Sequence, residues 1–173
     1  MRSLLYCKYK WQFCAKQKFS HMKTKDKLNR ISTYRDFVGE LQVTYKRTEM
    51  PTKKITGSKD ASEFMRPYFD EVMDDHEEVK ILHLSRSNHI VNVHHASVGD
   101  VNGCLIPIKL ILQQALVIKC SGILAFHNHP SGTLKPSAMD IQVTRKLRDA
   151  CKLLELPLLD HIILTREGYY SMA

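Results

Sequence analysis

The tightest constraint on the fold comes from the middle of the chain. Ile123, Leu124, Ala125 and Phe126 form an unbroken apolar run that feeds directly into His127-Asn128-His129-Pro130-Ser131-Gly132, and Pro136-Ser137-Ala138-Met139-Asp140 follows. A short apolar run without polar alternation suits a strand buried on both faces, as in sheets covered by helices on either side. Histidines at i and i+2 at the end of such a strand point the same way. Pro130 and Gly132 then turn the chain, and Ser137 opens a helix whose first turn holds Asp140. Two imidazoles and a carboxylate can thus converge on one point and leave a fourth tetrahedral position for water. Three protein ligands plus water is the pattern of a catalytic zinc ion, whereas structural sites are closed by four.

A blander account covers part of this stretch. Ser137-x-x-Asp140 is a respectable capping box, with serine as N-cap and aspartate at the third helical position. That reading accounts for Ser137 and Asp140 without any metal, but it leaves the histidine pair at this distance unexplained. With the chain's own His, Ser and Asp contents, the full H-x-H-x7-S-x-x-D pattern arises by chance on the order of once in a thousand such chains.

The remaining pattern places this stretch in an alternating α/β order around one sheet. Val79, Ile81, Leu82 and Leu84 read as one strand, and Ile90, Val91 and Val93 as a second, with Ser85-Arg86-Ser87-Asn88 as the turn between them. Asp60 followed by Glu63 resembles a capping box opening a helix through Phe64, Tyr68 and Val72, which Pro67 interrupts. Pro107 suits a first helical position ahead of Ile108, Ile111, Leu112 and Ala115. Ile141, Thr144, Leu147, Cys151 and Leu154 form the apolar face of the helix that begins at Ser137. Ile162 to Leu164 and Tyr169 to Met172 read as closing strands. Residues 51–59 read as a linker from their Pro, Gly and Lys content, and residues 37–47 contain a short strand-like run.

At 173 residues the chain suits one domain with a tail. The net charge of +8 is concentrated at the start, where residues 1–30 carry nine Lys/Arg and one acid, Asp26. Residues 31–173 carry seventeen of each sign. The division is therefore a basic tail over 1–33, expected to be disordered, and a domain over 34–173. A lysine-rich tail with Tyr6, Tyr9, Trp11 and Phe13 can also hold nucleic acid weakly, by counterion release and base stacking. Met22 and Met50 offer alternative starts. The opening apolar stretch, Leu4 to Tyr6, is too short for a secretory signal, and no run approaches a membrane span, which points to a cytoplasmic protein. The five cysteines are odd in number and lack C-x-x-C spacing, so buried free thiols are expected rather than disulfides or a thiolate zinc site.

H-x-H-x7-S-x-x-D is the JAMM signature, and His127-Asn128-His129-Pro130-Ser131-Gly132 with Pro136-Ser137-x-x-Asp140 resembles the RadC branch of the JAB/MPN superfamily. The resemblance covers roughly residues 38–172, including Ala115-Leu116, Thr144, Leu159-Asp160-His161 and Tyr170-Ser171. It implies a JAB/MPN-like (cytidine-deaminase-like) layered α/β fold, a central mixed sheet flanked by helices. It implies one Zn2+ per chain on His127, His129 and Asp140, with Ser137 assisting the oxyanion. The family's general base is a glutamate in a pattern resembling E-x-F-x-V-L-x-L, which falls here on Glu77. Glu78 is adjacent, but strand alternation turns it to the opposite face. A water activated by zinc would lose its proton to Glu77 as it attacks a carbonyl. Asn128 is expected to face away from the metal. His76, His89, His94 and His95 complete no known ligand spacing and read as structural or exposed. The Asp160-His161 pair could stand behind the ligands or face a substrate.

The superfamily's clearest chemistry is cleavage of peptide or isopeptide bonds, so a metallopeptidase-like hydrolase acting on a peptide or protein is the first reading. The alternative is a DNA-associated repair accessory or nuclease of the RadC type. The helix-hairpin-helix segment that often precedes this domain in RadC proteins is not recognisable here, which weakens that alternative. A zinc deaminase is disfavoured because H-x-E…P-C-x-x-C is absent. An inactive scaffold is disfavoured because every ligand of the motif is intact. Substrate and oligomeric state are not written in the sequence.

Overall fold

The computed structural model describes residues 48–49, 51–99 and 104–173. The basic tail and the strand-like run at 37–47 lie outside them. Five strands make one mixed sheet: β1 (Glu78–Leu84), β2 (Ile90–Val98), β3 (Gly122–Asn128), β4 (Leu158–Leu164) and β5 (Tyr169–Ser171). Their spatial order is β2-β1-β3-β4-β5. β1 runs antiparallel to both β2 and β3, β3 and β4 are parallel, and β5 returns antiparallel to β4. The helices are α1 (Ser58–Met65), α2 (Ile108–Ile118) and α3 (Ala138–Leu153).

Helices cover both faces of the sheet, which is why β3 reads as a continuous apolar run up to His127, whereas β1 buries Glu78, Lys80 and His83 among its apolar residues. Every residue of these two strands is buried. On one face Leu82, Leu84, Leu124, Phe126, Ile162 and Leu164 pack with Ala61 and Met65 of α1 and with Phe69 and Met73 beyond it. On the other, Val79, Ile81, Ile123, Ala125 and Leu158 pack with Ile111 and Ala115 of α2 and Leu147 and Cys151 of α3. This is the expected α/β layered architecture with a central mixed sheet.

Some local expectations shift. Residues 51–59 are not a simple linker. Ile55 is buried in the core, and this segment pairs with the β1–β2 turn through Ile55 N–H to Asn88 O (2.8 Å) and Ile90 N–H to Lys53 O (2.9 Å). A single apolar side chain among polar neighbours anchors it. Helix α1 begins at Ser58, before Asp60, whose carboxylate accepts from the Thr56 amide and hydroxyl. The helix then stops at Met65, and Pro67 sits in a 3-10 turn, Arg66–Tyr68. Pro107 is the N-cap of α2 rather than its first residue. On α3, Thr144, Leu147 and Cys151 are buried, while Ile141 and Leu154 at the two ends remain exposed.

Candidate metal centre

The site forms where β3 ends and α3 begins. Val79 of β1 sits directly opposite His127 of β3, so their side chains share the face that packs against α2 and α3. β3 continues into His129, whose amide donates to Leu164 O at 3.0 Å. The chain turns at once: Gly132 N–H donates to His129 O (3.0 Å), and Gly132 adopts φ +74, a left-handed conformation that favours glycine. Ser137 then caps α3. Its hydroxyl accepts from Asp140 N–H (3.1 Å), and Asp140 Oδ2 accepts from the Ser137 amide (2.7 Å) and hydroxyl (2.6 Å).

Capping and metal binding are therefore not competing accounts of Asp140. The capping box holds Oδ2 and turns the carboxylate toward the imidazoles. Asp140 Oδ1 lies 3.4 Å from His127 Nε2, and Oδ2 lies 3.6 Å from His129 Nε2. One ligand atom from each of His127, His129 and Asp140 falls within 4.8 Å of the others, and these three form the only such group of three among the described residues.

The hydrogen bonds fix which nitrogens can bind a cation. His129 Nδ1 meets the Thr133 carbonyl at 2.7 Å, and a carbonyl only accepts, so this Nδ1 carries the proton. In the neutral ring the lone pair is then on Nε2, which faces His127 Nε2 at 2.9 Å. A cation between the two nitrogens and the carboxylate satisfies all three. The residues fit zinc: two imidazole nitrogens and one carboxylate, with no fourth protein ligand in the group.

The electrostatics agree. Burial disfavours the charged form of His127, and the neighbouring His161 adds to this, lowering its pKa to about 3, so the ring is kept as a neutral ligand. Burial also opposes charge on His129, but the Asp140 carboxylate and Thr133 carbonyl outweigh it and raise its pKa. For Asp140 burial works toward the neutral acid, yet His129, Ser137 and His127 hold the carboxyl well below the usual range.

Glu77 precedes β1 by one residue and stays extended, its carbonyl accepting from Gly99 N–H at 2.8 Å. Its charge contributes to raising the His129 pKa, which puts it within electrostatic reach of that imidazole. Glu78 is on the opposite face from Val79. It is buried against Lys80, with His76 Nε2 and His95 Nε2 each 3.3 Å from its carboxylate. His94 lies against His83, with ring centroids 6.0 Å apart. None of these histidines joins the metal-ligand group.

Two features were not foreseen. Asn128 does face away from the ligands, but its side chain is a clamp. Its Oδ1 accepts from Glu78 N–H (2.8 Å), and its Nδ2 donates to the carbonyls of Val72 (3.0 Å), Met73 (3.2 Å) and His76 (2.8 Å). The residue between the two imidazoles thus fixes the segment that carries Glu77. Asp160 is a knot of four accepted hydrogen bonds, from the hydroxyls of Ser58 (2.7 Å) and Ser171 (2.6 Å) and the amides of His161 (2.7 Å) and Met172 (3.1 Å).

The fold and site together define a layered α/β domain with a His-x-His and Asp group able to hold a metal at the end of a central strand. Residues 55–173 match the model of the RadC-like JAB domain, and the chain belongs to that family. It is 40% identical over 119 residues to a UPF0758 protein of Flavobacterium johnsoniae, covering 69% of this chain and 51% of that protein. A UPF0758 protein of Chlorobium phaeovibrioides is 34% identical over 127 residues, covering 73% of this chain and 55% of that one. A third, from Aquifex aeolicus, is 37% identical over 117 residues, covering 68% and 49%. The chain thus spans about half the length of the curated relatives it matches. Among the described residues no helix is long and apolar enough to cross a membrane.

Proposed function

We propose that this chain is a zinc-dependent hydrolase, metallopeptidase- or isopeptidase-like, with His127, His129 and Asp140 as metal ligands. The observation that carries the reading is the convergence of two imidazole Nε2 atoms and the Asp140 carboxylate, with Glu77 within electrostatic reach of His129. Zinc, when bound, supplies a Lewis acid and lowers the pKa of a coordinated water toward neutrality. Glu77 takes the proton from the attacking water and returns it to the leaving group. The Ser137 hydroxyl, exposed at the helix N-terminus, turns from Asp140 Oδ2 to donate to the developing oxyanion. The substrate is a peptide or protein carbonyl. The basic residues 1–30 add at most weak, non-specific contact with nucleic acid.

The test is Glu77→Gln. The substitution removes the base and leaves the ligands untouched, so zinc content by elemental analysis stays near that of the wild type. Hydrolysis of peptide and isopeptide-linked substrates falls by about 10²–10⁴-fold, the usual worth of a positioned base. Full hydrolytic activity in Glu77→Gln would overturn the assignment of the base.

A further inference from the structure

Behind His127 runs a chain of hydrogen bonds whose direction is fixed from one end. Thr144 Oγ1 lies 2.5 Å from the main-chain carbonyl of Asp140, which can only accept. The single hydroxyl hydrogen is therefore spent there; the Met172 sulfur, at 3.8 Å, is too distant and too weak an acceptor to compete. His161 Nδ1 lies 2.5 Å from the same Thr144 oxygen, so Nδ1 must be the donor. His161 is wholly buried, and the Asp160 carboxylate beside it bonds hydroxyls and amides rather than the ring. With Nδ1 donating to Thr144 and no acid bonded to the ring, Nε2 is left as the acceptor. His127 Nδ1, 2.8 Å from that Nε2, must then donate. What remains on His127 is an Nε2 lone pair facing His129 and Asp140.

We propose that Thr144 and His161 are positioning residues that lock His127 in the Nδ1–H tautomer and so present its Nε2 to the metal. The relay starts on the backbone of one ligand, Asp140, and ends on the ring of another, His127. It thereby couples helix α3 to strand β3 through β4. Thr144 is a helix residue whose hydroxyl bonds back four positions, a habit with no catalytic meaning by itself. Here the back-bond orders every proton up to the ligand. The inference rests on the metal reading for its purpose, but the tautomer is a property of the protein alone.

The experiment has two arms. Long-range 1H–15N NMR on 15N-histidine-labelled, chelator-treated protein reads the tautomers directly. In the wild type, His127 is expected with a protonated Nδ1 and a bare Nε2. A protonated Nε2 on neutral His127 overturns the proposal. The second arm is zinc affinity by chelator competition for Thr144→Val and Thr144→Ser. Valine keeps the volume and loses the hydroxyl, and its affinity is expected to fall about 10–100-fold, the usual cost of losing a group that orients a ligand. Serine keeps the relay and stays within a few-fold of the wild type. Equal affinity of the valine variant and the wild type overturns the proposal, as does failure of serine to rescue. If Thr144→Val does not fold, the wild-type tautomer decides. If the wild type itself does not bind zinc, the metal reading fails, while the tautomer arm still judges the relay.

Discussion

Acid should unfold this domain early, and the reason is three buried histidines. Burial, as the main cause in each, pulls the pKa of His127 down to about 3 and those of His83 and His161 to about 4. In the unfolded chain a histidine titrates near 6.5. Below that value the unfolded chain binds three protons that the folded state refuses, so stability is full above pH 6.5 and falls as pH drops toward the folded values. His94 and His95 are shifted the same way. His76 and His129 are raised. The stability they add is lost as pH rises through their folded values and fully present below pH 6.5, so it offsets part of the change above pH 6.5 and leaves the slope below it unaltered. Three protons correspond to a slope of about 4 kcal/mol per pH unit near pH 5, and to a loss of about 6 kcal/mol between pH 7.5 and 5. That is comparable to the whole stability of an ordinary domain, about 5–15 kcal/mol. The assay is urea unfolding followed by far-UV circular dichroism, with chelator present, at half-unit steps from pH 7.5 to 5. His83→Leu, remote from the metal ligands, should flatten the slope by about a third. A urea midpoint independent of pH across this range would refute the reasoning, as would a His83→Leu slope equal to that of the wild type.

Other expectations are more local. His127→Ala and Asp140→Ala should each abolish stable zinc binding, whereas His94→Ala should retain about one zinc per chain by elemental analysis. Asn128→Ala removes a set of buried and part-buried hydrogen bonds, the two Nδ2 hydrogens being shared among three carbonyls, and should cost about 2–4 kcal/mol in chemical denaturation, with zinc retained. Hydrolysis should fall further than zinc binding does, because the clamp positions Glu77 rather than the ligands, and a displacement of about 1 Å can cost about 10²-fold in rate. Deleting residues 1–30 should eliminate any DNA binding, itself steeply salt-dependent, and leave zinc content unchanged; salt-resistant binding by the truncated protein in a gel-shift titration would show that the folded domain reads DNA.

The grouping of His127, His129 and Asp140 was legible because its information is local. An apolar run, a histidine pair, a turn and an N-cap follow one another within a short stretch, and each obeys a rule of its own. Alternation along β1 likewise sets Glu77 apart from Glu78, which packs against Lys80. What stayed hidden depends on distant partners. Asn128 looks like any polar residue between two histidines until the carbonyls of Val72, Met73 and His76 are brought to it. Thr144 and His161 were visible as family-like positions, but nothing in their spacing says that one hydroxyl would bridge a helix carbonyl and a ring from β4. Residues 51–59 were misread for a related reason: composition marks a linker, while the burial of Ile55 depends on where the β1–β2 turn lies.

β3 is the middle strand of five, hydrogen-bonded on both sides and covered on both faces. Amides in such a position exchange with solvent only when the whole domain opens. His127 therefore belongs to the slowest-opening part of the molecule, and His129 stands just beyond it. Asp140 has less of this protection: it rides on the first turn of a helix, where an exposed serine, the two imidazoles and the Thr144 hydroxyl on its carbonyl hold it. Fraying of that first turn would carry the carboxylate away and leave the imidazoles in place. A metal held there would sit between two fixed posts and one hinged leaf. An ion would arrive and depart on the timescale of local helix fraying, far faster than the domain unfolds.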